Sequence, residues 1–339
     1  MKKLFAKLFA RTPKAKNLDW RNIQSVLVRP IGSGLGDAIV LSSAFAQLKK
    51  TYPNCKLGVL STSRNRPILE HIPFIDEILP SSFPTAFTHH GKYQVFLEYQ
   101  SSFTTRNILF DFFLSPSYTI CFEKKAKKHY NANTVHNYNF YVPDLSAAHL
   151  SQTLSLTPFA QYVDTTHSAY TLTAPSKEAQ QIAAAFYQQN AKNILVCPFG
   201  TDRQVAPALL MQLLKKLAAK YKCNFICPFP KSKYPLDAQL PCTYTGPLSL
   251  ESFLALFQKA DLCLSVDSAP VHIACAYHTP VVGFYSAFEH NFRVFAPIGP
   301  RALSVRSHTP ASGPVKVIDN WTVDEAFEKA VELLKGERS

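Results

Sequence analysis

With 339 residues, 47% of them apolar and only 17% charged, the chain has enough apolar mass for two cores, which excludes an intrinsically disordered protein. It lacks any apolar run near the roughly 18–20 residues that cross a bilayer; the stretch 108–114 is short, carries Asp111 and reads as a core helix. A formal net charge of +13 points to an acidic partner, and the lack of a zinc finger, an RRM-type aromatic motif or a basic heptad run speaks against nucleic acid and for acidic lipid or a phosphorylated substrate.

Residues 1–20 stand apart. Lys2, Lys3, Lys7, Arg11, Lys14 and Lys16 all precede the first acid, Asp19. As a helix ending before Pro13, this segment sets Lys3, Lys7 and Arg11 against Leu4, Phe5, Leu8 and Phe9, a short basic amphipathic pattern suited to an anionic membrane surface. A solvated tail fits the same residues. The pattern of a cleaved secretory signal is missing.

Strand and helix then alternate, as parallel α/β sheets require. A strand over 25–29 runs into the turn Gly32-Ser-Gly-Leu-Gly36, and a helix follows from Asp37 to about Lys50. Further strands are expected over 57–61, 75–79, 93–98 and 118–122. A linker falls near 160–175, and Ser176 is a plausible N-cap for a helix reaching Gln189. The second half repeats the pattern, with strands over 193–197, 224–229, 261–266 and 280–285. Helices lie between them over 208–221, 250–260 behind the cap Ser249, and 269–277. Thr322-Val-Asp-Glu325 has the capping-box pattern and opens a closing helix to about Leu334. Eight cysteines without a CxxC pair, four of them inside apolar runs, read as reduced thiols in a reducing cytoplasm.

Two doubly wound domains bind ligands beyond the carboxyl ends of their strands, so the motifs there carry the chemistry. Asp267-Ser-Ala-Pro-Val-His272 follows a strand and opens a helix. Ser268 is the expected cap, Pro270 is tolerated in the first turn, and the free amides with the helix dipole make an anion site. His272 is expected one turn in, donating to a phosphate oxygen, or the segment is a well-capped structural helix with a satisfied histidine. Asp37 beside its glycine turn is either a general base or a residue favouring the helix dipole. The loop Cys197-Pro-Phe-Gly-Thr-Asp-Arg-Gln204 offers Gly200, Thr201 and Arg203 to a phosphate or is an ordinary loop. The basic run Lys124, Lys125, Lys127, Lys128 is a solvated loop or attracts an anionic acceptor. The spacing of about 20 residues from glycine turn to acid, which a dinucleotide oxidoreductase needs, is missing.

Together these segments resemble glycosyltransferase family 9, the heptosyltransferase-like family, through Gly34-Leu-Gly-Asp37, Tyr52-Pro53, Tyr99-Gln100, the 198–207 loop, and Asp267–His272 with Thr279-Pro-Val-Val282. The resemblance implies a GT-B fold of two Rossmann-like domains facing across a cleft. Their bounds are 21–168 on the acceptor side and 169–321 on the donor side, with a helix over 322–339 crossing back. It implies inverting transfer without a cofactor or required metal, most plainly of heptose from ADP-heptose onto an anionic glycolipid of the lipopolysaccharide inner core. That places the protein in the cytoplasm, at the inner leaflet. Asp37 matches the catalytic base. Thr201, Arg203, Gln204, Asp267, Ser268, Ala269 and His272 fall on the donor side. Gly34, Gly36, Arg64, Gln100, Lys124 and Lys125 fall on the acceptor side. Gln204 stands where heptosyltransferases often carry lysine, so a non-catalytic nucleotide-binding protein of the same fold is the alternative.

Overall fold

The computed structural model describes residues 5, 8–10, 18–166, 169–234 and 236–336. The chain divides into two units, Met1–Ser168 and Ala169–Ser339. Each is built on its own six-stranded sheet.

In the N-terminal unit the strands are β1 (Ser25–Arg29), β2 (Lys56–Ser61), β3 (Glu77–Pro80), β4 (Val95–Glu98), β5 (Tyr118–Phe122) and β6 (Phe140–Val142). They lie in the order β3-β2-β1-β4-β5-β6, and every pairing is parallel. Helices α1 (Leu35–Thr51), α2 (Arg66–Leu69), α3 (Phe83–Thr88) and α4 (Thr105–Leu114) connect them. Continuous apolar runs such as Val26, Leu27 and Val28 are fully buried because both faces of a parallel sheet are covered. Ten of the 17 residues of α1 are buried, and Gln47 donates to Ser151 O at 3.0 Å from its far side.

The C-terminal unit repeats the order with β7 (Lys192–Cys197), β9 (Cys223–Cys227), β10 (Cys242–Tyr244), β11 (Leu262–Val266), β12 (Val281–Tyr285) and β13 (Ala302–Arg306), arranged β10-β9-β7-β11-β12-β13. A separate two-stranded ribbon pairs β8 (Gln204–Val205) with β14 (Val317–Ile318). Its helices are α5 (Lys177–Ala184), α6 (Pro207–Lys220), α7 (Leu250–Lys259), α8 (Ala269–Ala276), α9 (Glu289–Phe295) and α10 (Val323–Lys335). Both sheets therefore reverse their strand order once, between β1 and β4 and between β7 and β11. These are the switch points where α/β sheets open a crevice.

Several local expectations change. Ser176 and Ser249 cap as expected, accepting from Ala179 N at 3.3 Å and Ser252 N at 3.1 Å. Thr322 makes no side-chain cap; its hydroxyl lies 3.4 Å from His308 Nε2 instead. Helix α10 packs on α6 and on the sheet of its own unit. Ala326, Ala330, Leu333 and Leu334 sit in that unit's core. Strands β6, β8, β10, β13 and β14 were not among the expected ones. All eight cysteines are free thiols and seven are buried. Of the basic amphipathic segment, only Phe5 and residues 8–10 are described, and its lysines and Arg11 lie outside the described residues. Phe5 and Phe9 pack on a cluster of Ala10, Phe103, Ile108, Tyr130 and Val135, so part of the apolar side is spent on the protein itself.

Candidate functional site

At the C-terminal switch point, the loop after β7 folds back on itself. Gly200 N–H donates to Arg203 O and Val205 N–H to Pro198 O, both at 2.7 Å. Gly200 must be a glycine for space: a Cβ there would come within 2.9 Å of Ser268 Cβ. This close approach lets the β7 loop lie on the turn after β11, and Arg203 reaches across to pair with Asp267. The same carboxylate oxygen accepts from Asn291 Nδ2 at 2.7 Å. Asp267 is buried, and burial pushes its carboxyl above the ordinary range while Arg203 and Asn291 oppose the shift. Arg203 keeps 23% of its side chain exposed, so it is a cation pinned on one side and open on the other.

Ser268 occupies the cap position of α8, but its hydroxyl donates to Val266 O at 3.0 Å and makes no cap bond. The expected serine cap is thus corrected: the hydroxyl has turned to its own strand. The N–H of Ala269 is one of the first-turn donors that a helix leaves without an intrahelical acceptor, and Pro270 has none to offer. His272 lies deep in the unit. It is 3% exposed, with its ring 5.6 Å from Tyr170 edge-on and 6.4 Å from Phe295. One turn into α8 every residue from 271 to 276 is buried, and the imidazole has Tyr170 and Phe295 as ring neighbours. Thr201 is exposed on the loop tip. Gln204 N–H donates to Lys316 O at 2.8 Å, which makes Gln204 a half-buried ribbon residue.

At the N-terminal switch point the charges are buried. Arg29 and Glu98 are register partners at the ends of β1 and β4 and form an ion pair. Arg29 also pairs with Asp111 at 2.9 Å, and Lys124 Nζ lies 3.2 Å from Glu98 Oε1 and 3.0 Å from Glu98 O. Phe96 and Phe110 flank the guanidinium. Burial first, and the charge of Glu98 after it, push the Asp111 carboxyl up to about 7 against the pull of Arg29. Lys124 also donates to Gln100 O, and Gln100 N–H donates to Glu98 Oε1 at 2.7 Å. Lys124 is therefore corrected from an acceptor contact to an internal clamp on the backbone of Gln100, while Lys125 stays exposed. Arg64 is exposed on the loop after β2, which Thr62 N–H and Asn65 Oδ1 close at 2.7 Å.

Asp37 stands at the third position of α1, accepting from Gly34 N–H at 3.2 Å. The glycine turn is shaped around the carboxylate: a Cβ on Gly32 would stand 2.5 Å from Asp37 Oδ2. Gly34 and Gly36 complete the turn and the first turn of α1. Arg29, Glu98 and Asn291 are the residues that sequence reasoning missed. A charged residue closing each of two apolar parallel strands was the visible signal for the first two.

The comparisons converge on this chain's fold and on one region of it. A family model described as glycosyltransferase family 9 (heptosyltransferase) matches residues 233–320, the stretch containing Asp267, Ser268, Ala269, His272 and Asn291. A lipopolysaccharide core heptosyltransferase, OpsX of Haemophilus influenzae, is 29% identical over 106 residues, which are 31% of this chain. The matched segment spans about a quarter of that relative, 24% of its length. A glycosyl transferase family 9 structure from Veillonella parvula superimposes with a TM-score of 0.72 at 13% identity, covering 94% of this chain and 99% of that one. The E. coli ADP-heptose lps heptosyltransferase II gives 0.70 at 16% identity, covering 92% and 98%. An E. coli heptosyltransferase solved with ADP-2-deoxy-2-fluoro heptose gives 0.63 at 13% identity, covering 91% and 99%. These likenesses make the fold GT-B. Asp37 and Arg203 lie outside the family 9 segment and are argued from their places at the switch points.

Proposed function

We propose that the protein is an inverting glycosyltransferase that moves heptose from ADP-heptose onto the inner core of a lipopolysaccharide or lipooligosaccharide. One observation carries the reading: Arg203, tethered by Asp267, is presented at the carboxyl ends of β7 and β11 beside the open first turn of α8. That pairing of a guanidinium with a helix start suits a diphosphate. The family 9 match and the likeness to heptosyltransferases, one of them a lipopolysaccharide core enzyme, support the sugar and the acceptor.

In this reading the C-terminal unit holds the donor and the N-terminal unit the acceptor. Asp37 takes the proton from the acceptor hydroxyl as the sugar's anomeric carbon is displaced from the nucleoside diphosphate. Arg203 and the Ala269 N–H stabilise the negative charge that develops on the leaving group. Preorganised donors of this kind are worth about 3–4 kcal/mol each when removed singly. His272 supports the packing of α8. Gln100 and Lys125 meet the anionic acceptor, and the basic tail brings the protein to the inner leaflet of the cytoplasmic membrane.

The bond from Asp37 to Gly34 N–H favours the other reading, a nucleotide-binding protein without transfer, because it is also what a helix-capping carboxylate does. Calorimetry with ADP, GDP, UDP and dTDP tests the shared donor site, and no binding at millimolar concentration removes both readings. Mass spectrometry of lipopolysaccharide from a strain lacking the protein separates them. Transfer predicts a core truncated by one sugar, and an unchanged core contradicts it.

A further inference from the structure

We propose that an aromatic ridge on the N-terminal unit, formed by Phe87, Phe112 and Phe113 with Leu8 and Phe9, is the surface on which the folded body docks to an anionic lipid bilayer. The proposal rests on the membrane association given above to the tail, and it assigns the apolar contact to α3 and α4.

The rings touch in an unbroken row. Phe87 lies 4.5 Å from Phe113, Phe113 5.4 Å from Phe112, Phe112 5.3 Å from Phe9, and Phe9 4.9 Å from Phe5. Among the described residues, six large apolar side chains stand out as exposed; two belong to this row, Phe87 at 55% and Phe112 at 45%, and Leu8 at 48% is the chain neighbour of Phe9. Exposed apolar residues scattered singly need no explanation, whereas a contiguous row of them marks a binding face.

The charge flanking the row is mostly basic, although Glu77 pairs with His89 beside Phe87 and Glu123 is half-exposed. In the sequence, residues 1–18 hold six basic side chains and no acid, and these side chains lie outside the described residues. Residues 81–122 hold only Glu98 and Asp111 as acids, and both are buried in the Arg29 network. Residues 124–140 hold no acid and expose Lys125, Lys127 and Lys128. The tail and this basic loop meet, since Ala10 packs with Tyr130 and Val135, and His136 N–H donates to Ala10 O at 3.3 Å. Cationic flanks draw the face to anionic headgroups, and the phenylalanines enter the boundary between headgroup and acyl chain. Nucleic acid fits less well. Phe9 meets Phe112 at 88° and Phe112 meets Phe113 at 78°, so the rings stand edge to face and offer no common plane on which successive bases stack.

Sedimentation of the full chain with vesicles of phosphatidylglycerol in phosphatidylcholine tests the proposal, with pure phosphatidylcholine vesicles and duplex DNA as separate arms. The unchanged protein is expected to bind the anionic vesicles only. The paired change Phe87→Ser and Phe112→Ser should weaken that binding roughly tenfold or more at unaltered melting temperature. Phe87→Ser alone, at the most exposed ring, gives a partial loss if the pair proves unstable. Binding that survives both variants but disappears on deletion of residues 1–16 overturns the ridge and leaves the tail as the anchor. A protein that fails to bind anionic vesicles, prefers DNA, or forms a dimer that the paired change dissociates also overturns it. ADP binding is measured on each variant, so failure of the ridge is distinguishable from failure of the transferase reading.

Discussion

The two switch points share one strand order and use charge in opposite ways. In the N-terminal unit Arg29, Glu98, Asp111 and Lys124 are each 8% exposed or less, and their charges are spent on one another. What stays near the surface is a carboxylate, Asp37, in a turn shaped to hold it. In the C-terminal unit a single pair does the holding, and its cation, Arg203, keeps an open side. A buried network fixes loops and offers nothing to a ligand, whereas a half-exposed pair offers charge. In the proposed transfer the first serves a base on a neutral hydroxyl and the second an anionic leaving group.

The largest effect is expected where this contrast is most direct. Asp37→Asn keeps the shape and the accepting oxygen but cannot take a proton, so turnover in a transfer assay should fall by about 10²–10⁴. A helix-capping role alone predicts a stability loss of at most about 1 kcal/mol and near-normal turnover. Lys124→Met comes next. It strands Glu98 without one of its cations in a buried site and should cost about 3–5 kcal/mol by denaturant unfolding. A cost like that of an exposed lysine would refute the clamp.

Asp111 sharpens the same point through pH. Its carboxyl is pushed up to about 7 in the folded protein, above its ordinary value of 3.8. The folded state therefore binds more protons than the unfolded state between those limits, and this group's contribution to stability declines as pH rises from about 4 to 7. Asp111→Asn does not titrate, so its melting temperature should gain on that of the parent protein across this window. A difference that is constant with pH would show that Asp111 is ionised throughout.

The smallest effect concerns caps. Ser249→Ala should cost about 1 kcal/mol because its hydroxyl accepts from Ser252 N–H, while Thr322→Ala should cost a few tenths because Thr322 caps nothing. The same pair shows what the sequence could tell. Spacing located the start of α10 correctly, but which way a hydroxyl turns depends on neighbours such as His308 and Val266 that no local pattern reports. The alternation of strands and helices was legible because buried parallel strands are continuous apolar runs. Asp267 and Asp37 were legible because they follow such runs. The depth of His272, the clamp made by Lys124 and the bond from Asn291 were not, since each arises from packing between segments distant in sequence.

The division of work between the switch points is tested most directly by calorimetry of ADP binding to three proteins. Asp37→Asn should bind ADP as the parent does, and Arg203→Ala should bind about ten- to a hundredfold more weakly, the loss of a hydrogen bond to a charged group. Equal binding by Arg203→Ala and the parent, or a comparable loss in Asp37→Asn, would contradict the account.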